Sequence, residues 1–503
     1  MELSKITLYP AVEGADSVYF KGGRLSGGVL TLEEGECADF ASLFSALDAQ
    51  FLLERTTVRG VTLRLYFDGR AKITVTRYIA QDKPAVRGAK PLTSYTVSTA
   101  ETENGYRTDI ELYGGGIVAF RVTALGALSF YGGVWECDDS CRTCDVRPGV
   151  VLPACGDIGR LAVPLARLCT EIDGLEAYVI GDVSALDGGD MPGVRLIECR
   201  DLGACGYYAR GMMECVERGR THCLLTDPTV TFDPAAVRRA LAYVSVMKPE
   251  YYGCALGGGL LTAARPTVVS DAGGVVRGAV MSHPKSGIDA SDVGGLLWYR
   301  SEEDSDFADW HFFILPASAV KSVGLPMPFR TGWYAAEYGL RLKAEAETLF
   351  PLGVAVWKTE SSDGGDWEAY YDMRNALVTC AVSGDAKAGT MRRALSAACR
   401  AAHGNRTRLA YVFDGADDYL LGPGFLTSVG CEKLHAEVLE GPRKTRGHFA
   451  AGAKKRGLKL RMLFSRSLGR KYMRLSGELR SERNWRIRLG LPGAGGAAEK
   501  SDK

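Results

Sequence analysis

The sequence predicts a multidomain α/β protein: an N-terminal antiparallel β-sandwich over residues 1–146, an α/β domain with a mostly parallel sheet over 147–385, and a helical region over 386–503. Three observations carry this. The chain has 503 residues, more than a single hydrophobic core ordinarily fills. Between Phe51 and Trp135 apolar and polar residues alternate with period two, the pattern of half-buried strands. From about Val150 the alternation gives way to short continuous apolar runs separated by helical segments, as expected of strands covered on both faces.

In the first region, Val61-Thr-Leu-Arg-Leu-Tyr-Phe67 and Lys72-Ile-Thr-Val-Thr-Arg-Tyr78 flank Asp68-Gly69, and this spacing predicts a hairpin. Further strands are expected at Thr93–Ser98, Tyr106–Leu112 and Ile117–Val122, between Gly-rich turns. In the second region the runs Val150–Leu152, Ala177–Ile180, Arg195–Ile197 and Cys223–Leu225 predict sheet strands. Helices are expected at Leu161–Thr170, Gly206–Glu217 and Pro234–Ser245, the last opened by Asp233-Pro234 as N-cap and first-turn proline. Beyond about Ala386 the Ala- and Arg-rich composition reads as helical, ending in a Gly/Ala-rich polar tail.

Hydrophobic residues make up 46% and charged residues 24%, the balance of a folded globular chain. A net charge of +1 gives no general field for polyanions, so nucleic acid is not an expected partner. The exception is local: Arg443–Arg488 holds sixteen Lys and Arg against two acids, interleaved with Leu460, Met462, Leu463, Phe464, Leu468, Tyr472, Leu475 and Trp485. Such a stretch suits an anionic membrane surface, although a solvated tail has the same composition. The first ten residues lack a cleavable leader pattern and no apolar run approaches a membrane span, so a cytoplasmic protein, peripheral at the inner face of the cell membrane, is expected. Of the 14 cysteines, Cys137, Cys141, Cys144 and Cys155 are dense enough for zinc or a labile disulfide. Their spacing matches no paired zinc pattern, and reduced thiols are the plainer reading. The histidines are isolated, and no phosphate-loop, nucleophile-elbow or kinase series occurs.

Four segments hold the residues of chemical interest. The first is Asp201-Leu-Gly-Ala-Cys-Gly-Tyr-Tyr-Ala-Arg-Gly-Met212, a Gly-rich turn entering a helix. The second, His222-Cys-Leu-Leu-Thr-Asp-Pro-Thr-Val-Thr-Phe-Asp-Pro234, is a buried strand that ends at an aspartate. The third comprises Asp309-Trp-His-Phe-Phe-Ile-Leu-Pro316, Val323-Gly-Leu-Pro-Met-Pro328 and Trp333-Tyr-Ala-Ala-Glu-Tyr-Gly-Leu-Arg341. The fourth comprises Gly353-Val-Ala-Val-Trp-Lys358 and Trp367-Glu-Ala-Tyr-Tyr-Asp-Met-Arg-Asn375. In order, with weaker echoes at Leu43–Leu47 and Asp418–Pro423, these segments resemble the actinobacterial galactofuranosyltransferases of glycosyltransferase family 2, which polymerise cell-wall galactan from UDP-galactofuranose. The resemblance runs from about Ser42 to Gly424 and leaves most of the basic stretch outside.

The resemblance implies a β-sandwich, a GT-A (Rossmann-like) nucleotide-sugar domain and a C-terminal helical part, in agreement with the patterning. It also implies which residues meet ligands. Asp182, Arg210, Asp227, Thr229 and Lys358 fall at nucleotide-sugar positions, and Trp310, His311 and Trp333 at acceptor positions. The family's three consecutive aspartates are reduced here to Asp227, followed by Pro228 and Thr229, and its metal-binding histidine is Lys358. A divalent cation bridging protein and diphosphate needs acidic oxygens, and a protonated lysine cannot ligate one, so no metal cofactor is expected. Tyr334 and Ala335 stand at the aspartate positions that supply the catalytic base, leaving Glu337 as the remaining carboxylate of that run and the candidate catalytic residue. Ala204 and Tyr207 replace glycines and should narrow the first loop. The expected function is a pseudoenzyme, binding or scaffold protein of cell-envelope glycan assembly. The alternative is an active metal-independent inverting transferase using a UDP-sugar. Expected partners are a UDP-sugar or glycan, the membrane through Arg443–Arg488, and an active transferase or a second copy of the chain.

Overall fold

The computed structural model describes residues 1–80, 92–155, 159–184, 191–301, 305–358, 364–428, 430–443 and 447–492. The Gly/Ala-rich tail expected at the C-terminus lies, from residue 493, outside the described residues.

Two antiparallel sheets, one of six strands and one of five, make up the N-terminal part. They face each other through Phe120 and Trp135, whose rings meet edge to face at 6.2 Å, with Phe40 stacked on Phe120 at 4.5 Å and against Phe130 at 5.0 Å. The alternating segments are strands Gly60–Asp68 and Arg70–Ala80, with Val61, Leu63, Leu65, Phe67, Ala71, Ile73 and Val75 all buried. They do not form the expected hairpin. Gly60–Asp68 pairs with Tyr106–Glu111 and Leu128–Glu136 in one sheet, while Arg70–Ala80 pairs with Ile117–Ala124 and Leu92–Glu103 in the other. Asp68-Gly69 is thus an arch between layers. Gly69 makes the crossing at φ 104, where a Cβ would lie 2.4 Å from the Ala127 carbonyl oxygen, so glycine is required for closeness as well as for backbone angle.

The α/β part is built on a seven-stranded mixed sheet in which Val194–Glu198, Glu176–Gly181, Pro148–Ala154 and His222–Thr226 run parallel. Each expected apolar run is one of these strands. Phe312–Pro316 then joins His222–Thr226 antiparallel, Thr226 opposite Phe312. The helices Gly159–Glu171, Ala204–Glu217 and Pro234–Ser245 match expectation, and Asp233 caps the last by accepting from Ala235 N at 2.8 Å. A second sheet of five strands carries Val230–Phe232, Ala355–Lys358, Gly259–Thr262, Arg265–Asp271 and Ile288–Asp289.

One continuous hydrophobic cluster runs from the N-terminal sheets into this part. At its centre Trp357 stacks on Phe44 at 5.1 Å. The buried Arg239 donates to Ser4 Oγ at 2.7 Å and to the Phe44 carbonyl, tying the Pro234–Ser245 helix to the N-terminal strands.

Helix Glu368–Val382 closes the α/β part and packs on the C-terminal helices Ala388–Ala401, Arg406–Leu421, Gly424–Ser428, Cys431–Glu440, Gly447–Arg461, Ser465–Leu479 and Glu482–Leu489. Gly415 lets two of them cross closely, since a Cβ there would sit 2.3 Å from the Tyr370 carbonyl oxygen. Tyr370 donates to Asp418 at 2.6 Å, and Arg443 forks onto the same carboxylate at 2.7 and 2.8 Å. Trp485 donates to the Pro326 carbonyl at 2.9 Å, so the final helix is anchored to the α/β part. Among the described residues no helix is long and apolar enough to cross a membrane.

Candidate functional site

In open α/β sheets, ligands bind outside the carboxyl ends of the parallel strands. Three strand ends meet there in this chain. His222–Thr226 ends at Asp227, and Thr226 Oγ1 donates to the His311 carbonyl at 2.9 Å. That bond fixes the Asp309–His311 turn, which leads into Phe312–Pro316, beside Asp227. Ala355–Lys358 pairs antiparallel with Val230–Phe232, so Lys358 lies opposite Val230, the neighbour of Thr229. The charge of Lys358 reaches Asp309 and His311. The segments separated in sequence therefore converge on one edge.

Asp227 is closed on itself. Its Oδ1 accepts from both Thr229 N at 2.8 Å and Thr229 Oγ1, an aspartate turn in which the threonine engages one of the two carboxylate oxygens. Together with Lys358, on the adjoining strand opposite Val230, this set offers one partly engaged carboxylate, a hydroxyl and an ammonium. These donors do not fit a divalent cation, which needs unprotonated oxygen or nitrogen ligands. They do fit an anion, with Lys358 as its counter-charge.

Tyr334, standing where an acid is expected from the resemblance, packs its ring against Trp310 at 5.1 Å and Tyr208 at 5.8 Å. Trp310 is 3% exposed and also meets Tyr338 edge to face, so it belongs to the wall of the site and presents almost no surface to a sugar. Trp333 holds a left-handed backbone at φ 67 just before the Tyr334–Leu342 helix. For a bulky residue this conformation costs about 1–3 kcal/mol. It is held by Asn375, whose amide donates to the Thr331 and Gly332 carbonyls at 2.8 and 3.3 Å. His311 has a buried Nδ1 without a hydrogen-bond partner, and burial lowers its pKa, with Lys358 adding to the effect.

The remaining assigned residues lie around this edge or behind it. Asp182 is exposed just beyond the Glu176–Gly181 strand, accepting from Ser184 N and Oγ at 3.2 and 2.6 Å. Arg210 is paired with Glu214 on its own helix. Glu337 is 1% exposed, and Arg341 forks onto its two oxygens at 2.7 and 2.9 Å while Met327 N donates to it at 3.3 Å. Both oxygens are thus engaged in bracing the helix against the preceding loop. Tyr207 donates to Asp201 at 3.3 Å and lies against Gly181, filling the space that a glycine would leave. Cys155 stands just beyond the end of the Pro148–Ala154 strand and is exposed. Cys137, Cys141, Cys144 and Cys155 are free thiols and, among the described residues, form no set of metal-ligand geometry.

Sequence reasoning did not find Asp271 and His283. His283 Nδ1 lies 2.6 Å from Asp271 Oδ1, and both stand close to Asp309. The hydrogen bond to Asp271 raises the His283 pKa. Burial first, then the like charge of Asp271, pushes the Asp309 carboxyl up to about 7, opposed by His283 and Lys358. No local motif announces this group; only the fold brings its three residues together.

No protein-family model matches the chain. Two curated proteins are similar to it: galactofuranosyltransferase GlfT2 of Mycolicibacterium smegmatis, 26% identical over 382 residues covering 69% of this chain and 58% of that protein, and GlfT2 of Mycobacterium tuberculosis, 26% identical over 435 residues covering 78% and 66%. The chain thus spans less than two thirds of the length of either relative. Among solved structures, a mannosyltransferase from Pyrobaculum calidifontis aligns with a TM-score of 0.31 and 14% identity over 62% of this chain and 88% of that one, a likeness too loose to argue from. The sequence similarity to these two galactofuranosyltransferases extends over more than two thirds of this chain.

Proposed function

We propose that this chain binds a nucleotide sugar of the UDP class at the edge formed by Asp227, Thr229, His311 and Lys358, without a cation at that set, and that it has given up metal-dependent galactofuranosyl transfer. The observation that carries this reading is the pairing of a closed Asp227–Thr229 turn with a lysine on the adjoining strand: the diphosphate meets a fixed positive charge where related enzymes would use a metal. Tyr334 supports the loss of transfer, because its ring takes the place of the base. The chain then serves cell-envelope glycan assembly as a binding or scaffold protein, organised as the three regions 1–146, 147–385 and 386–503.

Calorimetric titration with UDP in the presence of a chelator tests the binding. We expect saturable binding that weakens about tenfold in Lys358→Ala, equivalent to about 1.4 kcal/mol. Absence of binding at millimolar UDP would overturn the reading. Release of UDP from a UDP-sugar with a glycan acceptor is not expected. If it occurs, survives chelation and falls in Lys358→Ala, the chain is instead the metal-independent inverting transferase.

The basic region completes the proposal as a contact with the inner face of the membrane. Leu460, Leu463 and Phe464 are 64%, 51% and 76% exposed at the corner between helices Gly447–Arg461 and Ser465–Leu479. Lys455, Arg456, Lys459, Arg461 and Arg466 flank them, and the adjacent cavity of about 1210 Å³ is lined by Arg392, Arg393, Arg400, Arg456 and Lys459. Apolar side chains ringed by cations insert at an anionic interface. Co-sedimentation with vesicles rich in anionic phospholipid is expected, and should fall at least tenfold in the double variant Leu463→Asp, Phe464→Asp. Binding should also weaken at 0.5 M salt, since screening shortens the reach of the basic residues. Equal binding to neutral vesicles would refute the electrostatic part.

A further inference from the structure

We infer that Asp271, His283 and Asp309 form a divalent-cation site, separate from the Asp227, Thr229 and Lys358 set. This goes beyond the nucleotide-sugar reading and does not rest on it. Each residue offers one ligand atom, and these atoms all lie within 4.8 Å of one another, a spacing that a small side-chain adjustment closes onto one ion, whose ligands stand about 2.0–2.2 Å from it and so at most about 4.4 Å apart.

The three side chains come from different elements and are held without the metal. Asp271 is the last residue of the Arg265–Asp271 strand and is 6% exposed. His283 follows the two-stranded ribbon of Val275–Val276 and Met281–Ser282, with its ring edge to face with Phe307 at 5.9 Å. The backbone bridge between Gly274 and Phe307 sets that ribbon against the segment leading to Asp309. Aromatic packing and a sheet bridge thus pre-organise the three donors, leaving little ordering for a metal to impose.

Electrostatics points the same way. Two carboxylates brought together away from water repel and are poorly solvated, so a proton or a bound cation between them is favoured. Lys358 and His283 both act on Asp309, yet no ammonium or guanidinium is paired with Asp271 or Asp309 in an ion pair among the described residues; the partner of Asp271 is His283. A second sign is His311, whose buried Nδ1 has no hydrogen-bond partner and which feels the charges of both Asp271 and His283. Two carboxylates with an imidazole suit Mn²⁺ or Zn²⁺ better than Ca²⁺, which prefers oxygen alone. Three protein ligands also leave coordination positions open for water or an oxygen of a bound molecule.

The test uses the full chain, stripped with chelator, and the metal alone. Titration with Mn²⁺, followed through the electron paramagnetic resonance of the free ion, should show one ion bound per chain. Binding should fall at least a hundredfold in both His283→Ala and Asp309→Asn, with helical circular dichroism retained, and should strengthen two- to fivefold in Lys358→Ala as a nearby cation is removed. Pulsed resonance of the unaltered protein should report one directly bound nitrogen, which keeps the test decisive if the variants fail to fold. No binding at millimolar Mn²⁺ or Zn²⁺, no nitrogen ligand, or binding that survives both substitutions would overturn the site.

Discussion

Replacing Asp48 by alanine is expected to lower the unfolding free energy by about 3–5 kcal/mol, read as a shift in urea midpoint at unchanged slope. The carboxylate is fully buried. It caps the Ala49–Arg55 helix by accepting from Phe51 N at 3.0 Å, accepts from Leu352 N at 3.1 Å, and pairs with Arg300 at 2.9 Å. Alanine would remove the cap, leave the Leu352 N–H unsatisfied and strand a guanidinium whose side chain is 20% exposed. The last term dominates, because an unpaired buried charge costs more than a lost hydrogen bond. Asp48→Asn separates the terms: it keeps acceptor oxygen for the backbone but not the charge, so it should recover only about 1 kcal/mol of cap energy. The position also matters for the site. Asp48 belongs to the N-terminal sheets and Leu352 leads into the Ala355–Lys358 strand, so this junction helps to position Lys358. A loss below 1 kcal/mol would show that the two parts do not depend on this contact.

The sequence disclosed the elements of this fold more fully than their partners. Buried parallel strands such as Val150–Leu152 and Cys223–Leu225 stood out because both of their faces are covered, leaving no polar positions to break the run. Alternation located the strands on either side of Asp68-Gly69 equally well. It could not tell a hairpin from an arch, since both geometries bury every second residue, and the decision lies in the distant strands that each one joins. The candidate nucleotide edge was legible because Asp227, Thr229 and Lys358 sit in segments with recognisable neighbours. Asp271 and His283 were not: they lie 12 residues apart on unremarkable stretches and acquire meaning only when a strand end, a ribbon and the Asp309 loop meet. The role of Glu337 was similarly hidden. A surviving carboxylate in a degenerate run looks chemical until its arginine partner, one helical turn away, is seen to occupy it.

Glu337→Ala should therefore behave as a stability variant, losing about 3–5 kcal/mol with little change in UDP affinity at a temperature where the chain stays folded. Arg341 uses its guanidinium to join three things: Glu337, the Val323 carbonyl and, at 3.0 Å, the Leu325 carbonyl. Without Glu337 the arginine, whose side chain is 16% exposed, keeps its backbone acceptors but loses the charge that offsets its desolvation. Glu337→Gln is the informative comparison. The amide preserves volume and one acceptor oxygen toward Arg341, so it should fall between alanine and the unaltered chain, whereas a residue that abstracts a proton would be as inactive with glutamine as with alanine. The helix held by this ion pair begins at Tyr334, directly after the strained Trp333. Weakening the brace should release that strain before it unfolds the sheet, and the fluorescence of Trp333 and Trp310 would then shift at lower urea than the far-ultraviolet signal. Coincident transitions would mean that the brace and the sheet unfold as one unit, with the stability loss unchanged; a tenfold loss of UDP affinity without destabilisation would place Glu337 in the binding site and overturn its role as a brace.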